Sequence, residues 1–80
     1  MRATTVDRQK QVLAAIRRRI ATNGYPPTQR EISCEIGVSL ARVAQVMARL
    51  VETGMVRRVA CSARAYSINE PLAAAMLRDD

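Results

Sequence analysis

Apolar positions recur at three- and four-residue steps through most of the chain, then give way to short runs. Val12, Leu13, Ile16 and Ile20 fall on one face of a helix spanning about Thr5 to Asn23. Thr4 or Thr5 can cap its start, Asp7 suits the positive end of the helix dipole, and Asn23-Gly24 closes it. Tyr25-Pro26-Pro27 reads as an extended connector, since neither proline fits a helix interior. Thr28-Gln29-Arg30-Glu31 has the form of a capping box and opens a second helix, with Ile32 and Ile36 inward and Gly37 as its stop. A third helix starts at Ser39 and runs to about Thr53. Its buried stripe is Val43, Val46, Met47, Leu50 and Val51, and Gly54 ends it.

After Gly54 the period changes. Met55 to Val59 and Ala65 to Ile68 are short runs with β-branched or aromatic members, separated by residues 60–64, and they predict a β-hairpin. Asn69-Glu70-Pro71 can start a last helix with Pro71 at its first position, and Leu72 to Arg78 is Ala-rich. The expected organisation is one domain over residues 1–70 and a short C-terminal helix or tail over 71–80. The fold class is mainly α with a small β-hairpin.

Spacing within the second and third helices is more specific. Two helices that cross sharply over a short turn need a Gly in that turn and a small residue where the helices approach. Gly37-Val38-Ser39 fills the turn, Ser33 is the small residue four positions earlier, and Val38 is placed to pack beneath it. Val43 and Val46 then face Ile32 and Ile36. An ordinary helical hairpin does not require this set in register, so the pattern predicts a winged helix-turn-helix: three helices, a two-stranded wing and a short C-terminal helix.

Composition narrows the chemistry. Eighty residues make one small domain, and with Tyr25 and Tyr66 as the only aromatics its core must be aliphatic. The net charge is +6, and all thirteen basic residues except Lys10 are Arg. Arg forks onto phosphate oxygens and guanine edges, so a small basic domain points first to nucleic acid; an unspecialised basic surface is the plain alternative. Arg17-Arg18-Arg19 also fits a structural reading, as cations near a helix C-terminus.

The chain has no His, and Cys34 and Cys61 stand far apart without nearby ligands, whereas zinc needs about four. They read as reduced thiols, with an internal disulfide as the alternative. No nucleophile–base pair, metal cluster or phosphate-cradling Gly loop stands out, so no enzyme, cofactor, metal or small-molecule ligand is expected. Met1 to Thr5 lacks a hydrophobic signal region, and no run is long enough to cross a membrane, which predicts a cytoplasmic, nucleoid-associated protein.

The sequence resembles the N-terminal DNA-binding domain of the LexA repressor family. The resemblance rests on Thr5, Arg8-Gln9, Val12-Leu13 and Ile16. It continues through Gly24-Tyr25-Pro26-Pro27-Thr28, Arg30-Glu31-Ile32 and Ile36-Gly37, then Leu50, Gly54, and Arg64 before Tyr66-Ser67-Ile68. It covers roughly Thr5 to Asn69, and Gly-x-Pro-Pro-Thr-x-x-Glu-Ile is its most specific string. It implies helix three in the major groove and a homodimer on a palindromic operator. Two departures matter: the turn before helix three is one residue shorter than in the family, and the family's base-reading residues are not found here. The family's peptidase domain, with its Ser-Lys pair, is not matched either, and Lys10 belongs to helix one. A stand-alone prokaryotic, phage- or plasmid-borne regulator is the expectation.

On helix three, Ser39, Leu40, Ala41, Arg42 and Gln45 are the candidate base readers. Arg suits guanine, Gln suits adenine, and Leu40 or Ala41 could meet a thymine methyl. Thr28, Arg30, Arg49, Arg57, Arg58 and Arg64 are candidate backbone contacts, although Arg49 could instead pair with Glu52 or Glu31. Leu72, Met76 and Leu77 are candidate dimerisation residues; packing of this helix back on helix one is the competing reading. The expected function is a sequence-specific double-stranded DNA-binding regulator, most naturally a repressor. Alternatives are a winged-helix protein-interaction module, which Leu40, Ala41 and Ala44 would suit, or a replication or partition DNA binder.

Overall fold

The computed structural model describes residues 5–58 and 66–78. The chain order is α1 (Thr5–Asn23), α2 (Gln29–Ile36), α3 (Leu40–Glu52), β1 (Val56–Arg58), β2 (Tyr66–Ile68) and α4 (Glu70–Arg78). The winged helix-turn-helix read from the sequence is therefore present. Thr4 as a cap, Val59 and Ala65 as strand ends, the 60–64 connector and Cys61 lie outside the described residues.

The 3.6-residue period of α1 does what it predicts. Val12, Leu13, Ala15 and Ile16 are sealed in the core and Ile20 is partly covered. Gly24, at φ 83°, closes the helix as its amide donates to the Ile20 carbonyl at 2.8 Å. Pro27 is fully buried and anchors the connector. At α2 the capping box forms in both directions: Glu31 N donates to Thr28 Oγ1 at 3.2 Å, and Thr28 N donates to Glu31 Oε1 at 2.9 Å.

Gly37 ends α2 at φ 69°, in the left-handed region that a side chain disfavours. Ser33 does more than leave room in this turn. Its Oγ donates to the Val38 carbonyl at 2.5 Å, while the Ser33 carbonyl accepts from Gly37 N and Val38 N at 3.0 and 3.2 Å. One small polar residue thus ties off the turn from both directions, and Val38 packs against the core beside it. Ser39 caps α3 by accepting from Arg42 N at 3.2 Å. Val43, Val46, Met47 and Leu50 are buried, with Val51 half-buried at the edge of the stripe.

The hairpin is antiparallel, pairing Val56 with Ile68, Arg57 with Ser67 and Arg58 with Tyr66. Val56 and Tyr66 point into the core; Arg57, Ser67 and Arg58 are exposed. Asn69 N donates to the Met55 carbonyl at 2.8 Å and fixes the base of the wing.

The last helix begins one residue earlier than expected. Glu70 is its first residue and Pro71 its second, with Asn69 Oδ1 accepting from Leu72 N at 3.4 Å. Proline is tolerated there because the second amide of a helix has no intrahelical acceptor either. Ala73 is fully buried, and Met76 and Leu77 pack partly against the core, while Leu72 remains 42% exposed. Arg17 reaches Glu70 at 3.4 Å, so α4 lies along α1.

The arginine run of α1 is structural in a way its position near the helix end did not disclose. Arg18 and Arg19 converge on Glu35 of α2, at 2.6 and 2.7 Å. They are ion-pair partners between helices and lie before the last turn of α1, which holds no basic residue. Glu35 is held below its ordinary carboxyl value, chiefly by the hydrogen bonds from Arg19 and Arg18, and Arg19 is raised by the same contact.

Candidate nucleic-acid interface

Burial of one face of α3 leaves the other clear. Leu40, Ala41, Arg42, Ala44, Gln45, Ala48 and Arg49 are all exposed. Arg42, Gln45 and Arg49 sit three and four residues apart and so share one stripe. At 1.5 Å per residue the two arginines stand roughly 10 Å apart along the axis. Ala41, Ala44 and Ala48 flank that stripe with methyl groups only, which lets a partner approach the helix closely. Ala48 was not singled out from the sequence, though the helical period carries it. Leu40, in the first turn, is 40% exposed. Ser39 is exposed too, but its oxygen is engaged as the helix cap.

Arg49 bonds Glu52 on the same helix, Nη1 to Oε1 at 3.1 Å, with both side chains mostly in solvent. Glu31, the other acid considered for it, accepts from Thr28 N in the capping box. An exposed pair of this kind is weak, so Arg49 can exchange its carboxylate for a phosphate.

At the start of α2, Arg30 is exposed and Thr28 half-buried. The capping box occupies the Thr28 and Glu31 amides. The first-turn amides of Gln29 and Arg30 are the ones a helix cannot satisfy internally. The structure brings this helix start against the wing. Tyr66 Oη donates to the Pro27 carbonyl at 2.6 Å, a buried bond between β2 and the residue preceding Thr28. Arg58 is the cross-strand partner of Tyr66, so the basic strand and the α2 N-terminus adjoin. The role of Tyr66 was not foreseen: nothing local signals a bond across 39 residues. Arg57 faces outward beside Arg58, and Arg64 lies outside the described residues.

Among the described residues no helix is long and apolar enough to cross a membrane, and no group of three or more His, Cys, Asp or Glu is placed to hold a metal. Cys34 is a free, exposed thiol.

The sequence is similar to that of known proteins. The LexA DNA binding domain family matches residues 1–65. The chain is 39% identical over 66 residues to the LexA repressor of Pseudarthrobacter chlorophenolicus, covering 81% of this chain and 26% of that protein. It is 44% identical over 62 residues to LexA repressor 1 of Geobacter sulfurreducens, covering 76% and 31%. Against the LexA repressor of Streptomyces coelicolor it is 38% identical over 63 residues, covering 78% and 27%. The chain therefore spans between a quarter and a third of the length of these relatives. The capped α2, the Ser33–Gly37 turn, the amphipathic α3 and the first wing strand all fall within the matched stretch, and the chain belongs to the LexA DNA-binding domain family.

Proposed function

We propose that this chain recognises double-stranded DNA by sequence and represses transcription by occupying a palindromic operator as a homodimer. The observation that carries the reading is the exposed face of α3. Arg42 and Gln45 stand on its N-terminal half, where recognition helices meet base edges, in a chain of the LexA DNA-binding domain family. Arg42 reads guanine O6 and N7, Gln45 reads adenine N6 and N7, and Leu40 and Ala41 meet thymine methyls, with Ser39 at the groove edge. Thr28, Arg30, Arg49, Arg57, Arg58 and Arg64 hold the phosphates on either side.

The role is binding without catalysis, on the chromosome in the cytoplasm. Leu72, Met76 and Leu77 serve the dimer. Since Met76 and Leu77 are partly covered by the chain's own core, Leu72 is the member best placed to meet another copy. Gel shifts on pooled random duplex test the reading: retarded complexes at low salt that dissolve at moderate salt are expected. An absence of any duplex binding at low salt would overturn it.

A further inference from the structure

Pro27 ends the connector before α2, and its carbonyl takes no part in the α2 ladder, which begins at the Thr28 carbonyl with Ile32 N at 3.0 Å. Proline has no amide to give, and the Pro27 side chain is fully buried. A buried carbonyl here needs a donor from elsewhere in the chain. Tyr66 supplies it at 2.6 Å, from a residue only 9% exposed. A buried phenol must in turn place its own hydroxyl, so each group satisfies the other. An aliphatic side chain at this point of β2 could fill the core but could not bond α2.

Pleating decides which arginine of the wing shares in this bond. Residues directly opposite in an antiparallel pair project from the same face of the sheet, and successive residues from opposite faces. Arg58 stands opposite Tyr66 and so lies on the Tyr66 face, whereas Arg57 stands opposite Ser67 on the other face. Both arginines are exposed, as is Arg30 in the first turn of α2. The Tyr66–Pro27 bond therefore joins the strand pair that carries Arg58 to the helix start that carries Arg30. Arg57, on the far face, is left out of that joint.

We propose that Tyr66 is a positioning residue for DNA binding: its hydroxyl, held by the Pro27 carbonyl, sets Arg58 against the start of α2 so that Arg58 and Arg30 grip phosphates as one unit. The proposal deepens the DNA-binding reading and rests on it. A wing free to swing would keep its charge, but each binding event would then bear the entropy of bringing Arg58 to a phosphate beside Arg30. The hydroxyl removes that cost before DNA arrives. Its effect reaches all sequences alike, because phosphates carry no base information.

Anisotropy titrations of the full chain against a selected duplex and a scrambled one, repeated as salt is raised, test this. Binding is read at a temperature where circular dichroism shows each variant folded. Tyr66→Phe keeps the ring and removes only the hydroxyl. It should weaken both duplexes by roughly threefold to tenfold and make log affinity against log salt shallower by up to about 1. A role in stability alone would move the melting temperature and neither of these. In an Arg58→Ala background the same substitution should cost almost nothing further, while in an Arg57→Ala background the full loss should persist. Unchanged affinity and slope, or equal further losses in the two backgrounds, would overturn the proposal. If Tyr66→Phe does not fold, Arg30→Ala and Arg58→Ala, both at exposed positions, carry the test: losses that couple are expected, and strictly additive losses would overturn it. A parent chain that binds while Tyr66→Phe binds equally well leaves DNA recognition standing and removes this inference alone. A parent that binds no duplex removes the DNA reading, and this inference with it.

Discussion

In the proposed reading Arg42 and Gln45 read bases while the arginines of the wing hold phosphates, and substitution separates the two jobs. Each exposed side chain on α3 leaves the core untouched when truncated, so Arg42→Ala or Gln45→Ala should alter binding and not folding. A lost bidentate base contact costs about 1–3 kcal/mol at the preferred site and relaxes choice at that base pair. Arg57→Ala should weaken all sequences evenly, because phosphates carry no sequence. Anisotropy titrations against the preferred duplex and a scrambled one distinguish these patterns; an unchanged motif and affinity in Arg42→Ala would remove that residue from the reading face. Gly37 makes a second test at this scale. A methyl there would meet no atom within 4 Å, so Gly37→Ala isolates the left-handed backbone. A loss of about 1–2 kcal/mol in urea unfolding is expected, and a neutral result would mean that the turn can relax.

At the scale of elements, the Glu35 clamp joins α1 to α2 and makes their packing pH-dependent. Its carboxyl value is lowered in the folded chain from the ordinary 4.5. The stabilisation is therefore complete above 4.5 and is lost as pH falls through the lower folded value. Thermal melts from neutral to acid pH should show Glu35→Gln with a shallower acid decline than the parent; identical pH profiles would assign the acid sensitivity to other carboxyls. The clamp also marks where sequence reading stops. Helix existence, caps and buried stripes are local, and Thr28, Gly37 and Ser39 announce them. The pairing of Arg18 with Glu35, and of Tyr66 with Pro27, depends on how elements are set against one another, and periodicity holds no such information. The start of α4 shows a milder limit: Pro71 signals an opening helix, but the Asn69 side chain sets where it begins.

For the whole molecule, the aliphatic core and the basic surface were both legible, as was the amphipathic α3 that places Arg42 and Gln45 outside. The fate of the apolar α4 was not, because a stripe states which face seeks cover and not what covers it. Ala73, Met76 and Leu77 turn toward α1 and the core, while Leu72 does not. Charge acts at this scale too. If Arg30, Arg49, Arg57, Arg58 and Arg64 each neutralise a phosphate, log affinity against log salt should fall with a slope of about −4.5 per module. A slope near zero would assign the basic surface to solubility alone.

The most direct test of sequence-specific DNA recognition through α3 is selection of the full chain on random double-stranded DNA at low salt. The account predicts enrichment of a palindromic motif whose half-sites lie about one helical turn apart, and loss of that enrichment in Arg42→Ala. Retention of no duplex above background, or equal retention of every sequence, would contradict it.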